Sequence, residues 1–375
     1  MKLRLFYYFS LAVKIILGMK VLKIKDVALA AGVSPATASK VLTGNGVAYQ
    51  VSTSTIERVQ RIAKELGYVP NIAARNLRLQ RTGQIGVVLE EVMANEGSVD
   101  LEINDFRLSG VASVRRTFDG AIMAGLSDAA RRYQLEAFVV YPKLEHGVTL
   151  DPNRFLDGRI DGLLIGRNPL EANNLIYQIN PKRLPLVALW TQVVPEGVGF
   201  ADADQRGGGA MAVQHLLELG HRKIAFYGSG IHSGVEHFVL RHQGYLNGLE
   251  AAGITPNPEW QVSSTVSLLE LLQAGNPVTA VFAETDMEAA LVARDLQRAG
   301  LRIPEDVSLI GFDDVFGADF IAGGLTTIYH PAQEMAAEGV KNLLALLAGL
   351  SVEEECRSIV PTRVVKRHTT ARVKE

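Results

Sequence analysis

From residue 84 onward the apolar positions come in short continuous runs separated by longer amphipathic stretches. Ile85–Leu89, Phe138–Tyr141, Gly162–Ile165 and Pro185–Leu189 form a first series of such runs, and Lys223–Tyr227, Thr279–Ala283 and Val307–Phe312 form a second. Short apolar runs bounded by turn-forming residues predict strands buried on both faces. With helical stretches between them they become repeated βα units, hence parallel sheets covered by helices, and two series predict two lobes. Ligands of such sheets bind beyond the carboxyl ends of the strands, here in a cleft between lobes.

The first 83 residues follow a different period. Val27, Ala30 and Ala31 mark one face of a short helix, which Gly32 ends by supplying the left-handed backbone of a tight turn. Val33 plugs that turn. Ser34 is a strong N-cap with Pro35 at the first helical position, and Ala38, Val41 and Leu42 give a second helix its buried face. A third helix is predicted from a Ser54/Glu57 capping box, with an apolar stripe of Ile56, Val59, Ile62, Ala63 and Leu66 ended by Gly67 and Pro70. The pattern fits a helix-turn-helix or an ordinary helical hairpin. After Pro70-Asn71, the run I-A-A-R-N-L-R makes only a two-turn helix, a length that needs outside support in water. Residues Glu90–Thr117 form a long polar stretch, functional or disordered.

Charge decides between the two readings of the head. The total of −2 over 375 residues hides a split: residues 1–83 carry thirteen Lys and Arg against Asp26, Glu57 and Glu65, a net +10, and the remainder carries −12. A basic head on an acidic body points to nucleic acid, because Lys and Arg facing phosphates release counterions. The apolar fraction of 47% and the length suit two or three globular domains, and the lone Cys356 permits no intramolecular disulfide, as in a reducing cytosol. Lys2 and Arg4 before an apolar stretch imitate an export signal, but Lys14 interrupts it and no small-x-small cleavage site follows Leu17. Residues 1–19 are read as an extension upstream of a natural start at Met19, with a weak membrane contact as the alternative. Without Lys2, Arg4 and Lys14 the head keeps +7.

Catalytic patterns are missing from the sequence. Gly228-Ser229-Gly230 is not a nucleophile elbow, and there is no P-loop and no G-x-G-x-x-G after a strand. His232, His237 and His242 are spaced by five, which spreads them around a helix instead of gathering them on a metal. Asp313-Asp314 is expected to end a strand and cap the next helix.

The run D-V-A…A-G-V-S…T-A-S-K-V-L and the later G-Y-V-P-N-I-A-A-R-N-L resemble the head and hinge of the lactose/galactose repressor (LacI/GalR) family. The resemblance continues through H-L-L-E-L-G-H-R-K-I-A-F, R-H-Q-G-Y-L-N-G-L, P-V-T-A-V-F-A-E-T-D, I-P-E-D-V-S-L-I-G-F-D-D, G-L-T-T-I-Y-H-P and P-T-R-V-V-K-R-H-T-T, covering about residues 20–372. Three departures stand out: a longer loop between Val41 and Val51, T-A-S for the commoner T-V-S, and the 90–117 stretch. The resemblance implies a small all-α helix-turn-helix head and an α/β body of two doubly wound parallel-sheet lobes like periplasmic sugar-binding proteins. The expected boundaries are 20–69 for the head, 70–83 for hinge helix and linker, and 84–372 for the body, with lobe crossings near 220, 327 and 355.

The resemblance also assigns residues. Pro35, Ala36 and Lys40 fall where the family discriminates bases in the major groove. Lys40 is able to donate to guanine O6 or N7 or to rest on a phosphate, whereas Pro35 and Ala36 offer only apolar contact. Ser34, Thr37 and Ser39 are placed at the DNA, with Thr37 and Ser39 on phosphates. Asn71, Ala74 and Arg75 belong to the hinge, and Leu77 matches the leucine wedged into the minor groove, or packs against its dimer mate. In the cleft, Arg241 matches the arginine that bonds ligand hydroxyls or carboxylates. Asp286 matches an acid that accepts from the ligand, with a helix N-cap as its other reading. Phe118 stacks on ligand or packs in the core, Trp190 stacks on a sugar ring or fills space, and Arg167 and His330 complete the set.

Together these features predict a cytoplasmic, homodimeric repressor that binds a near-palindromic operator, takes a sugar or nucleoside effector between its lobes, and needs no cofactor, metal or membrane. No further heptad segment follows the closing strand, which favours a dimer over a tetramer. The alternatives are an exported solute-binding protein with the same two lobes, against which the helix-turn-helix counts, and a sugar-processing enzyme, for which no acid/base constellation exists.

Overall fold

Three helices build the head: α1 (Ile24–Ala30), α2 (Pro35–Leu42) and α3 (Thr53–Leu66). The computed structural model describes residues 22–42, 50–69, 81–89, 118, 120–135, 137–140, 151–166, 175–228, 234–274 and 277–374, in two units, Met1–Gln80 and Arg81–Glu375. The 1–21 extension, the hinge residues Asn71, Ala74, Arg75 and Leu77, the 90–117 stretch and Arg167 lie outside the described residues.

Gly32, at φ +63°, turns the chain between α1 and α2, and Val33 N–H closes back on the Ala28 carbonyl at 3.0 Å. The buried side of α1 is Val27, Ala28 and Ala31, while Ala30, expected inside, is exposed because the turn draws Ala28 under α2. Ala38, Val41, Val59 and Ala63 complete the core. The N-cap of α3 is Ser52, and the expected Ser54/Glu57 capping box is not the cap. Val51, just before that cap, and Ile56 both join the core, a hydrophobic staple that starts the helix two residues early. At the other end Gly67 takes φ +66° and the Tyr68 N–H reaches the Ala63 carbonyl, a Schellman closure.

The body holds two six-stranded sheets. In the N lobe the order is β11-β5-β4-β3-β1-β2, from β1 (Gln84–Leu89), β2 (Ala137–Val140), β3 (Gly162–Gly166), β4 (Leu186–Leu189), β5 (Gly199–Ala203) and β11 (Arg357–Val360). All its pairings are parallel, for example Ile85 beside Gly162. The C-lobe order is β12-β10-β9-β8-β6-β7, from β6 (Ile224–Tyr227), β7 (Gln261–Val262), β8 (Ala280–Ala283), β9 (Ser308–Asp313), β10 (Thr326–Tyr329) and β12 (Arg363–Val365). Only β12 runs antiparallel. The seven runs picked out by pattern are strands, within a residue or so at each end. Strands β7, β10, β11 and β12 are not among those runs, and β5 escaped because its sequence, G-F-A-D-A, is fully buried yet carries an aspartate and two alanines in place of branched apolar residues.

Helices cover both faces: α4 (residues 120–133), α5 (Leu175–Gln178), α10 (Ala332–Leu347) and α11 (Val352–Glu355) in the N lobe, and α6 (Gln205–Glu218), α7 (Glu236–Ala251), α8 (Thr265–Gln273) and α9 (Asp286–Arg298) in the C lobe. The chain changes lobe after β5 at Asp204, after β10 at His330-Pro331, and after β11 at Pro361-Thr362. The first crossing precedes the expected position near 220 because α6 already packs in the C lobe, placing Ala212, Val213 and Leu216 against Ile224 and Phe226. The last follows the expected 355 because β11 first pairs with β5.

Candidate nucleic-acid interface and interlobe cleft

In the head, α2 divides its residues cleanly. Ala38 and Val41 are spent on the core, while Pro35, Ala36 and Lys40 face outward, with Thr37 and Ser39 half-buried at the margin. Ser34 caps the helix, its Oγ accepting the Thr37 N–H at 3.0 Å and lying 2.9 Å from the Thr37 hydroxyl. Arg58 of α3 donates to the Ala31 carbonyl at 3.1 Å and so fixes the turn that presents α2. The outward row therefore sits on a rigid support, the condition for reading base edges.

The second site lies where the three crossings meet. Helices α6 and α7 pack with backbone against backbone at Gly209 and Gly244, where an added Cβ would strike the carbonyls of Arg241 and Arg206 respectively. This approach seats Arg241, which is 3% exposed. Its Nε donates to Gln205 Oε1 at 2.9 Å, Nη1 to the Glu284 carbonyl at 2.7 Å, and Nη2 to Asp313 Oδ1 at 2.9 Å. The guanidinium also stacks 3.7 Å over the Phe312 ring. Asp313 closes β9 at φ +124°, a backbone strain characteristic of functional positions. Burial raises its carboxyl, with Glu284 adding, while Arg241 opposes the shift.

From Gln205 the network enters the N lobe. Gln205 Nε2 lies 3.2 Å from Asp202 Oδ1 and 3.2 Å from His330 Nε2, and Gln192 Nε2 donates to Asp202 Oδ2 at 3.1 Å. Burial pushes Asp202 up to about 6, with the Glu236 charge adding and its amide partners opposing. Glu236, in the first turn of α7, accepts from the Thr191 hydroxyl at 2.5 Å and from the Gln192 N–H at 2.9 Å, a direct clasp between lobes. His330 is held neutral, well below the usual range, by burial and by the neighbouring Arg241 and His237.

An aromatic wall completes the site. Phe118 stands edge-on to Trp190 at 6.3 Å and to His330 at 5.1 Å. Trp190, at the end of β4, takes φ +61°, a left-handed conformation that β4 itself could not continue.

The structure thus gathers Phe118, Trp190, Arg241 and His330 in one place. Asp286 stands apart. It is fully buried, its Oδ1 accepting from the Thr327 hydroxyl at 2.5 Å and its Oδ2 from the Val315 N–H at 3.0 Å, both within the C lobe. Nor is it the N-cap, which is Thr285, whose hydroxyl accepts the Glu288 N–H. The carboxylate that meets Arg241 is Asp313, and the helix cap expected of the Asp313-Asp314 pair does not form. Asp314 instead pairs with Arg367 at 2.8 Å, because the segment after β9 is a short 3-10 turn capped by Gly317. Sequence reasoning also missed Gln192, Asp202, Gln205 and Glu236. Of these only Asp202 left a signal, a carboxylate inside an otherwise apolar run.

Elsewhere in the N lobe, a groove of about 210 Å³ opens between Arg81, Ile85, Leu135, Leu344 and Leu347, at the amino ends of the strands and so opposite the cleft. Among the described residues no group of three His, Cys, Asp or Glu could hold a metal ion, and no helix is long and apolar enough to cross a membrane.

Comparison with known proteins identifies both parts of the chain. Residues 23–71 match the family described as bacterial regulatory proteins, lacI family, and residues 213–370 match a periplasmic binding protein-like domain. The HTH-type transcriptional regulator CelR of Thermobifida fusca is 31% identical over 353 residues, covering 92% of this chain and 96% of its own. Among solved structures, a CelR–cellobiose complex superposes with TM-score 0.60 at 28% identity, over 93% of this chain and 99% of its own. The lac repressor dimer bound to operator and an anti-inducer gives TM-score 0.67 at 25% identity, over 94% of this chain and all of its own (100%).

Proposed function

Because the chain belongs to the lacI family of bacterial regulatory proteins, we propose that it is a cytoplasmic, homodimeric transcriptional repressor, not an enzyme, released from or held on a near-palindromic operator by a sugar or nucleoside effector. The observation that carries the reading is the division of α2: its apolar side is consumed by the head, and Pro35, Ala36 and Lys40 face outward. In this reading Lys40 reads a guanine, Pro35 and Ala36 touch a thymine methyl, and Ser34, Thr37 and Ser39 lie along the phosphates. Asn71, Ala74, Arg75 and Leu77 form the hinge that orders on DNA, with Leu77 as the minor-groove wedge.

The effector sits against Phe118 and Trp190 and is held by Arg241, Asp313 and His330, with Arg167 joining the set on the family resemblance alone. Asp313 replaces Asp286 as the recognising acid, since the Asp286 oxygens are both committed inside the C lobe. Support comes also from the cellobiose bound by the similar CelR. An effector that favours one lobe arrangement changes operator affinity through the linker, a coupling typically of about 1–3 kcal/mol.

The test is selection of operators from random duplex DNA with the full chain, followed by binding at several salt concentrations. The reading expects one palindrome, bound with a steep salt dependence and at least a thousandfold better than random DNA. Weak binding blind to sequence would refute it.

A further inference from the structure

The hydrogen bonds around Gln205 fix more than positions. Arg241 has only donors, so the Gln205 atom that receives its Nε–H is the carbonyl oxygen. The Gln205 amide nitrogen is then a donor, and it faces Asp202, which accepts, and His330 Nε2. A donor cannot face an N–H, so His330 Nε2 carries the lone pair. A neutral imidazole with Nε2 unprotonated carries its proton on Nδ1. That N–H is buried in a residue 4% exposed, and among the described residues it has no hydrogen-bond partner.

An orphaned buried donor beside the aromatic wall requires an acceptor, and a ligand oxygen supplies one. The remaining polar groups of the cluster set the rest of the ligand's chemistry. Among the described residues of the cluster, Asp202, Glu236, Glu284 and Asp313 are four carboxylates against the guanidinium of Arg241. Buried acids accept hydrogen bonds and repel anions; burial raises Asp202 and Asp313, and the charges of Glu236 and Glu284 add to the rise. A ligand meeting both demands needs hydroxyl groups, each able to donate and accept, without a carboxylate or phosphate of its own.

We propose that Gln205 is a positioning residue that locks His330 as an Nδ1–H donor, and that this donor together with the acidic lining makes the cleft select an uncharged polyhydroxyl ring over anionic relatives of it. The assignment rests on the effector-controlled reading above but is read out separately from DNA binding.

The first measurement is the ring-nitrogen NMR spectrum of the full chain labelled with ¹⁵N-histidine, with His330 assigned by the signal lost in His330→Gln. A protonated Nδ1 and an unprotonated Nε2 are expected. A proton on Nε2 would overturn the proposal. Gln205→Glu places an acceptor against Nε2 and should move the proton there, while Gln205→Met adds no charge and should release the fixed tautomer. An unchanged tautomer in a folded variant of either kind also overturns it. The second measurement follows Trp190 fluorescence during titration with matched pairs: glucose and glucuronate, cellobiose and cellobionate, ribose and ribose 5-phosphate, adenosine and its monophosphate. The neutral member of at least one pair should bind at least tenfold tighter than its anion. Equal or tighter binding of the anions, or silence of every neutral member, would refute the class assigned. Failure of operator selection with these results intact would strike the regulatory reading alone.

Discussion

The carboxylate of Asp161 accepts the backbone N–H of Gly83 at 2.7 Å, and its other oxygen takes the Thr82 N–H at 2.6 Å. Arg81, beside them, donates to the Leu347 carbonyl at 2.9 Å, at the end of α10, the helix whose other end begins at the His330-Pro331 crossing. The first residues of the body are thus pinned to the N lobe by one acid and one helix terminus. Asp161→Ala leaves both N–H groups without their acceptor, a loss of about 2 kcal/mol. Limited trypsin digestion should then release the head several-fold faster than from the wild type. An unchanged rate would mean that the pin does not govern the linker.

Asp202 gives the cleft a pH signature. Its folded-state value, about 6, lies above that of an unfolded aspartate, so its contribution to stability is full below about pH 4 and is lost as pH rises through about 6. The span corresponds to about 3 kcal/mol at most. Asp202→Asn, which carries no charge, should gain in melting temperature relative to wild type between pH 4 and pH 7. A constant difference across that range would show that Asp202 is not strained by its burial.

Gly209→Ala tests how Arg241 is seated. The new methyl would meet the Arg241 backbone carbonyl, which cannot rotate away as a side chain would. Separating α6 from α7 should cost about 1–3 kcal/mol. It should also weaken binding of whichever neutral sugar the titrations identify. Full retention of both would mean that the helices have slack the structure does not show.

Phe316 and Phe320 are 88% and 83% exposed in the segment between β9 and β10, an apolar pair that water does not favour. A second copy of the chain is the expected cover. Each buried phenylalanine contributes about 2 kcal/mol, so changing both to Ser should weaken dimerisation by more than tenfold in sedimentation velocity. Unchanged self-association would place the dimer contact elsewhere.

Lys40→Ala separates base reading from phosphate contact. If Lys40 reads guanine, discrimination at one operator position should fall by about 1–3 kcal/mol. A uniform loss across all sequences, with a salt dependence shallower by about one ion, would assign it to the phosphates instead.

The head was legible almost entirely from sequence, because its helices, turn and caps are local. Gly32, Ser34 and Pro35 act on neighbours within a few residues, and the apolar spacing names the buried face. Only the exact cap of α3 and the exposure of Ala30 needed coordinates, since both depend on how Val51 and Ala28 settle into the shared core.

For the body, periodicity marked seven of the twelve strands and two lobes, yet it passed over β5, β7, β10, β11 and β12 and misjudged two crossings. A buried strand is recognisable when its residues are branched and apolar; G-F-A-D-A announces nothing of the kind.

Sequence by itself determined the basic head and the acidic two-lobed body, and its resemblance to the family named Arg241, Trp190, Phe118 and His330 as cleft candidates. Only the tertiary structure decided that Asp313 and not Asp286 meets Arg241, and that Gln205 meets a histidine 125 residues away. Hydrophobic spacing records which face of a local element avoids water. It carries no information about which polar groups become neighbours when distant strand ends converge, and that pairing was set by three lobe crossings and the close approach of two glycine-bearing helices.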